Sequence, residues 1–253
     1  MSDRRARLFA RAEPALSDGP LVLGVESAGL HLGLALCQLG GAAGSAATEF
    51  SLLEEVHSHL GRRHAESFLD LLDAMLSRQE IEPTQLALVA CGRGPGSFTG
   101  VRVGLASAAG LALGIGCPLW PVDSLAALAR NAAGQGTVAI PTVDARKSEV
   151  YAAAYRVPLD GPPIEIAPAR VGPADRVVAE LRELAGDSAA LVFGSGAQLY
   201  GCASAVPPAW HLPRASELAW LAAQAFDAAG RDPARAPALD PAYVRPSDAE
   251  LGA

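Results

Sequence analysis

The stretch Gly94-Pro95-Gly96-Ser97-Phe98-Thr99-Gly100-Val101-Arg102 joins a predicted buried strand, residues 86–90, to a predicted small-residue helix, residues 101–115. A glycine-rich turn at a helix N-terminus leaves backbone N–H groups pointing outward, where anions bind. Ser97 or Thr99 is expected to cap the helix, because a short hydroxyl side chain accepts from an orphan N–H group. The spacing fits neither a P-loop nor a dinucleotide fingerprint, and Pro95 removes one N–H donor. The stretch therefore predicts an α/β turn suited to an anion but without a standard phosphate motif.

The order of strands and helices around this turn begins twice along the chain. Three short strands predict an antiparallel meander, and a helix with one apolar stripe follows them. That stripe consists of Ala65, Phe68, Leu69, Leu72, Met75 and Leu76. The predicted strands cover residues 21–26, 31–39, 45–53, 86–90, 118–122, 137–143, 150–157 and 190–193. The later predicted segments are a helix capped by Ser124 over residues 124–131, a Pro-rich loop over 158–173, a turn at 194–196, and helices over 174–185 and 215–229. The repeated order favours two related α/β lobes with a cleft between them.

The composition is that of a globular protein large enough for one domain or two lobes. The chain has 253 residues, 50% of them hydrophobic, and a formal net charge of −7. This acidic balance argues against independent, salt-resistant binding to nucleic acid, because Lys and Arg supply most of that affinity. We expect Cys37, Cys91, Cys117 and Cys202 to be reduced thiols of a cytosolic protein, since no CxxC pair is present. The apolar runs are shorter than the about 20 residues that span a bilayer.

The chain divides into five predicted segments. Residues 1–20 interleave Arg with acidic residues and end in Gly and Pro, which favours a disordered extension over a transit peptide. The other segments are a first lobe over 21–121, a second lobe over 122–212, a C-terminal helix over 213–231 that packs back on the first lobe, and a tail over 232–253.

Four segments give the chain a resemblance to a known family. They are residues 21–27 (LVLGVES), 63–66 (RHAE), 94–102 (GPGSFTGVR) and 143–151 (VDARKSEVY), and Tyr243-Val244-Arg245-Pro246 is similar to the family's ending. Together they resemble the TsaB (YeaZ) family, the non-catalytic partner in bacterial tRNA threonylcarbamoyladenosine synthesis. The resemblance implies two related actin-like ATPase (ribonuclease H-like) lobes, each a mixed sheet flanked by helices.

The resemblance also implies partners and a place where they bind. The partners are a TsaD-like catalytic subunit, a TsaE-like ATPase, tRNA through the complex, and a second copy of the chain when it is alone, all in the cytoplasm and without a membrane. The residues themselves leave open whether the apolar stripe and the small-residue helix serve the core or an interface. The resemblance implies an interface that includes His64, Ala65, Phe68, Leu72, Met75, Arg102, Gly104, Ala108 and Leu111.

The resemblance implies no catalytic residue, no metal site and no cofactor of its own, with ATP or ADP at a subunit interface as the open alternative. The family usually has Asp where this chain has Glu26, so the nucleotide loop is interpreted as vestigial. That loop comprises Glu26, Gly94, Gly96, Ser97, Thr99, Gly100 and Asp144. The catalytic paralogue, TsaD, places two metal-binding His residues four apart, and here those positions fall on Ser124 and Leu128, which are poor metal ligands.

Three alternatives remain open from the residues alone. A small-molecule kinase or ATPase of the same fold would use Glu26, the glycine loop and Asp144 around Mg-ATP, whereas Asp144 could instead cap its own turn. A hydrolase would need Ser97, His64 and Asp144 together, without a nucleophile elbow. The spacing of His57, His59 and His64 favours surface or capping roles over a metal cluster, and Arg102 in a first helical turn is expected to meet an anion or a partner carboxylate.

Overall fold

The computed structural model describes residues 19–40, 49–59 and 64–244. Its strands are β1 (Leu21–Glu26), β2 (His31–Gly40), β3 (Glu49–His59), β4 (Leu86–Gly92), β5 (Leu119–Val122), β6 (Thr137–Arg146), β7 (Glu149–Val157), β8 (Ile164–Pro173) and β9 (Leu191–Phe193). Its α-helices are α1 (His64–Arg78), α2 (Phe98–Ile115), α3 (Ser124–Ala129), α4 (Ala174–Ala185), α5 (Ser195–Leu199) and α6 (Ala215–Ala228). The side chains of Glu49, His64, Ala65 and Glu66 lie outside this description, although their backbone belongs to β3 or α1.

Two mixed sheets repeat the same strand order. The first sheet is ordered β3-β2-β1-β4-β5, and the second is ordered β8-β7-β6-β9. In the first, β1 pairs antiparallel with β2 and parallel with β4; in the second, β6 pairs antiparallel with β7 and parallel with β9. The predicted pair of related α/β lobes is therefore confirmed.

The first sheet is covered on both faces, which explains the unbroken apolar run in β1. One face packs Leu23 and its neighbours against Met75 of α1 and Leu105 of α2, and the other packs Val22 against Leu218 of α6. Every residue of β1 is buried, as expected for a central strand between two helical layers. Gly24 allows the close approach of α6, because a Cβ there would lie 2.1 Å from the carbonyl oxygen of Ala215.

Several boundaries differ from the sequence prediction. The third strand was expected at 45–53 and instead runs to His59, while residues 45–48 lie outside the described ranges. The region 158–173 contains β8 rather than only a loop. Its prolines are tolerated because β8 pairs with β7 alone at the edge of its sheet. The predicted turn at 194–196 is the start of α5, and the predicted extension and the end of the tail, 1–18 and 245–253, lie outside the description.

Helix α2 would pass as a membrane span by length and composition alone. Its 18 residues have a mean hydropathy of 1.5, and 33% of them are buried inside the fold. Core helices of globular proteins meet the same criteria, and α2 places Ala108 and Ala112 in the first lobe's core. The four cysteines are free thiols, with Cys37 and Cys91 buried.

Candidate functional site

The glycine loop between β4 and α2 is packed against the β1–β2 turn. The backbone N–H of Ser97 donates to the carbonyl oxygen of Ala28 at 2.6 Å. A Cβ at Gly96 would lie 2.2 Å from that same oxygen, so this position has no room for a side chain. The Ser97 hydroxyl accepts from the Gly100 N–H at 3.2 Å, which confirms Ser97 as the cap of α2.

The loop's donors are therefore largely engaged within the chain. Gly94 donates its N–H to the Ser124 hydroxyl at 3.3 Å, and Val101 donates to the carbonyl oxygen of Ser97 at 2.9 Å. Thr99, the other predicted cap, is exposed on the first turn of α2. A phosphate seated inside this loop would have to replace bonds that the protein already makes.

Glu26 lies beneath the loop rather than in an open cleft. It is 2% exposed and accepts hydrogen bonds from the Ala28 N–H at 2.6 Å and from the Ser124 hydroxyl at 2.9 Å. Burial raises the pKa of this carboxyl, although the hydrogen bonds from Ala28 and Ser124 act in the opposite direction. Gly92 leaves the space that the carboxyl fills, since a Cβ there would lie 2.5 Å from Glu26 Oε2.

A second carboxyl near the loop, the half-buried Asp123, was missed by the sequence reasoning. Asp123, not Ser124, caps α3 by accepting the Ala126 N–H at 2.9 Å, and the Tyr155 hydroxyl donates to it at 3.4 Å. Burial raises the pKa of Asp123 as well. The sequence could not show which of the adjacent residues Asp123 and Ser124 caps α3. In the structure Asp123 is the cap, and the Ser124 hydroxyl donates to Glu26 instead.

Asp144 belongs to the hairpin that joins β6 to β7. It accepts from the Arg146 N–H at 2.9 Å and from the Tyr200 hydroxyl at 3.0 Å, and it forms an ion pair with Arg146 at 3.3 Å. The tip residues Arg146, Lys147 and Ser148 all have positive φ values. The sequence left open whether Asp144 acts at Mg-ATP or caps its own turn, and the contacts within the chain are those of a turn cap.

Two of the three proposed hydrolase residues have separate roles in the described structure. The Ser97 hydroxyl caps α2 and Asp144 is held by its own hairpin, while the His64 side chain lies outside the described part. Glu26 and Asp144 also have different partners, because Glu26 accepts from Ser124 and Asp144 accepts from Tyr200. The described contacts of Ser97, Asp144 and Glu26 are therefore contacts that hold the fold together.

Arg102 does not meet a carboxylate in the described structure. Its guanidinium lies 3.7 Å from the Phe98 ring centroid and donates to the Tyr243 hydroxyl at 2.7 Å. Phe98 and Tyr243 are both about half exposed, at 50% and 54%. Within the chain, Arg102 therefore has an aromatic and phenolic setting, and its contact with an anion or a partner carboxylate stays a prediction.

Several residues of the predicted interface on α1 and α2 are buried within this chain. Phe68, Leu72 and Met75 are at most 3% exposed and belong to this chain's own core. Gly104 faces inward too, because a Cβ there would lie 1.9 Å from Ser27 Oγ, and Ala108 is fully buried. Of the core and interface roles left open by the sequence, these residues occupy the core.

The outward faces of the same helices carry other apolar side chains. Leu69 is 64% exposed on α1, and Leu113 is 85% exposed on α2. Leu69 and the half-buried Leu111 line a groove of about 640 Å³ between the helices and the segment after α1. The amphipathic spacing predicted helix α1, but only the exposure of each side chain in the structure shows which apolar residues face solvent. We name Leu69 and Leu111 the outer leucine patch; Leu113, two residues further along α2, projects to a different side of the helix.

Histidines 57 and 59 lie on strand β3, not on a helix as the spacing argument assumed. His57 Nε2 lies 3.4 Å from Glu55 Oε1, and Glu55 also accepts from the Ser216 N–H at 3.0 Å at the start of α6. Within the described ranges, no group of three or more His, Cys, Asp or Glu side chains is arranged to hold a metal ion.

The strand order and the mixed pairing in both lobes define an actin-like, ribonuclease H-like α/β protein. A solved Pseudomonas aeruginosa structure, described as similar to the peptidase YeaZ, superposes with a TM-score of 0.67 at 26% identity, over 89% of this chain and 100% of that one. The family model for tRNA N6-adenosine threonylcarbamoyltransferase, TsaD, matches residues 54–168.

Curated relatives carry the name TsaB. The tRNA threonylcarbamoyladenosine biosynthesis protein TsaB of Haemophilus influenzae is 41% identical over 92 residues, which is 36% of this chain and 39% of the relative. Its Escherichia coli namesake is 39% identical over 97 residues, or 38% of this chain and 42% of the relative. The matched part thus spans less than half of either curated relative. Together with the fold, these matches confirm the resemblance to the TsaB (YeaZ) family.

Proposed function

We propose that this protein is a non-catalytic scaffold and activating subunit of the tRNA threonylcarbamoyladenosine transferase complex. A TsaD-like partner would transfer the threonylcarbamoyl group from threonylcarbamoyl-AMP to the adenosine beside the anticodon. This chain would hold the partner's two lobes in a productive arrangement, and a TsaE-like ATPase would act with them. The relatives named TsaB support the pathway assignment.

One observation carries the non-catalytic part of the proposal. The positions that the resemblance aligns with the paralogue's metal-binding His residues are Ser124 and Leu128, and both are fully buried. Leu128 packs in the core beneath α3, and the Ser124 hydroxyl is used by Glu26 and Gly94. A buried leucine offers no ligand atom, and this serine oxygen already has two partners.

The outer leucine patch supports a docking surface for the catalytic partner, or for a second copy when the chain is alone. Leu69 in particular exposes 64% of its surface on α1, where an apolar side chain gains free energy by burial. The groove beside Leu69 could receive a side chain from the opposing helix. The interface would thus use the solvent-facing leucines rather than Phe68 and Met75.

Nucleotide and tRNA would be bound mainly through the complex. The loop donors at Gly94, Ser97 and Gly100 have acceptors inside this chain, so ATP or ADP would sit at the subunit interface rather than within the loop. The net charge of −7 supports a partner that would supply most of the phosphate contacts. A cytoplasmic location follows from this role.

The test is complex formation with the TsaD-like subunit of the same organism, followed by light scattering. Leu69→Glu is expected to weaken assembly at least about tenfold, because it places a charge in a desolvated contact. Leu184→Glu is the matched control, since Leu184 is 51% exposed on α4 in the second lobe and should leave assembly unchanged. Circular dichroism would check that both variants are folded.

Two outcomes would contradict the proposal. Equal assembly of Leu69→Glu and Leu184→Glu would remove the outer leucine patch as the interface. Transfer of the threonylcarbamoyl group to tRNA by this chain alone would remove the non-catalytic role. Tight Mg-ATP binding and turnover by the isolated chain, lost in Asp144→Ala, would instead favour the small-molecule kinase or ATPase alternative.

A further inference from the structure

A pair of histidines joins two neighbouring strands at one end of the first sheet. His31 begins β2 and His59 ends β3, and the two residues are direct partners in the antiparallel register. Nε2 of His31 lies 3.2 Å from Nδ1 of His59, and the rings meet edge to face at 62°. Residues opposite each other in an antiparallel pair project to the same face, so the pairing is imposed by the strands.

The separation of these two ring nitrogens matches that of two ligands on one metal ion. Zinc–imidazole bonds of about 2.0–2.1 Å at a tetrahedral angle place the two nitrogens about 3.3–3.4 Å apart. The observed separation of 3.2 Å is close to that value without any movement of the backbone. We propose that His31 and His59 form a two-imidazole site for a divalent transition-metal ion such as Zn²⁺ or Ni²⁺.

Without metal, one ring donates an N–H to the facing nitrogen of the other. When the ion binds, the donating ring changes tautomer through exchange of that proton with solvent, so both facing nitrogens present lone pairs to an ion that lies to one side of the line between them. Imidazole nitrogens suit zinc, nickel and copper, whereas magnesium and calcium prefer oxygen ligands. Water molecules complete the coordination.

His57 is the natural comparison for this site. It lies two residues before His59 on β3 and therefore on the same face. Its Nε2 is directed to Glu55 at 3.4 Å, which gives it a structural partner. A metal held by His31 and His59 would fasten the start of β2 to the end of β3, beside the turn that packs against the glycine loop.

The full chain, freed of any affinity tag, would be titrated with ZnCl₂ and separately with NiCl₂ by calorimetry, with MgCl₂ as the reference salt. We expect one ion per chain, and at least about tenfold weaker binding in His31→Gln and in His59→Gln, because each removes one of two ligands. His57→Gln is expected to bind within about twofold of the unmodified chain, since it lies outside the pair.

Thermal unfolding gives a second readout that does not depend on any activity. Zinc should raise the unfolding temperature of the unmodified chain and of His57→Gln, and not that of His59→Gln, because the ion binds only the folded pair. The proposal is overturned if neither metal binds at about millimolar concentration, far above the range expected of a formed site. It is also overturned if His59→Gln binds and is stabilised as well as the unmodified chain.

Discussion

The two lobes share a strand order, but the acidic residue near the end of the central strand has different surroundings in each. Glu26 ends β1 and is 2% exposed beneath the glycine loop, whereas Asp144, near the end of β6, supports an exposed hairpin tip. Both carboxyls lie at or near the end of the strand that has one antiparallel and one parallel neighbour in its sheet. The comparison teaches that repeated topology sets where an acidic side chain lies, and that local packing decides whether it faces solvent.

Gly96 in the first lobe and Gly196 in the second differ in the atoms that lie beside them. A Cβ at Gly96 would meet the backbone of Ala28 at 2.2 Å, and a Cβ at Gly196 would meet the Val150 Cγ1 methyl at 2.6 Å. Backbone in a paired turn cannot move aside, but a side-chain methyl can shift by a small rotation. Of these two positions, Gly96 is therefore the more tightly enclosed.

Gly96→Ala against Gly196→Ala gives the largest expected effect. Gly96→Ala should lower the free energy of unfolding by about 3 kcal/mol or more, because it forces the loop away from Ala28, and Gly196→Ala by about 1–2 kcal/mol. Urea unfolding followed by circular dichroism measures both. Equal losses would show that the two turns are packed alike, and Gly110→Ala, with no atom within 4 Å of its Cβ, should not destabilise.

The edge strands of the two lobes are also held differently. Glu55 of β3 has a side chain only 9% exposed and accepts from the Ser216 N–H and hydroxyl and from Arg214. Burial alone would raise the pKa of Glu55. Hydrogen bonds from His57 and Ser216, together with the Arg214 charge, outweigh it and lower the pKa from 4.5 to about 2. On β8, the corresponding link is the exposed Arg170–Glu180 pair.

Glu55→Gln should therefore cost roughly 2–3 kcal/mol at neutral pH. Because the folded pKa lies below the unfolded one, this stability is present above pH 4.5 and is lost as the pH falls toward 2. Urea unfolding at pH 7 and at pH 3 should show the gap between wild type and Glu55→Gln narrowing in acid. Glu180→Gln is the control and should change stability little at either pH. A gap that stays constant with pH would contradict the ionic origin of this contact.

The sequence predicted elements better than it predicted faces. The unbroken apolar run of residues 21–26 and the helix over 174–185 were placed as the structure has them, because burial on both faces and a clear amphipathic period leave a strong pattern. Strand β8 was missed because its prolines suggest a loop.

The candidate site was harder to predict than the fold. The motifs singled out Glu26, Ser97 and Asp144, but the contacts of Glu26 and Asp144 depend on partners distant in sequence. Ser124 lies 98 residues from Glu26, and Tyr200 lies 56 from Asp144. Likewise, the apolar stripe over residues 65–76 did not show that Leu72 is buried and Leu69 exposed. An apolar stripe is wide, and residues at its edge can face solvent.

The two carboxyls give the smallest but most direct contrast between the lobes. Because burial raises the pKa of Glu26, the folded state retains a proton that the unfolded chain releases above pH 4.5. Stability contributed by this group is therefore present at low pH and falls as the pH rises toward its folded pKa. Glu26→Gln cannot ionise, so it should lose less stability than wild type between pH 5 and pH 7.5.

Urea unfolding at these two pH values checks the sign, and Asp144→Asn provides the partner measurement in the second lobe. Asp144→Asn should cost about 1 kcal/mol or less, because the amide still accepts from Tyr200 and the hairpin tip remains hydrated. Parallel behaviour of wild type and Glu26→Gln would mean that Glu26 is ionised inside the fold. The closed first lobe would then hold a charge as readily as the open second one, and the contrast between the lobes would be one of exposure alone.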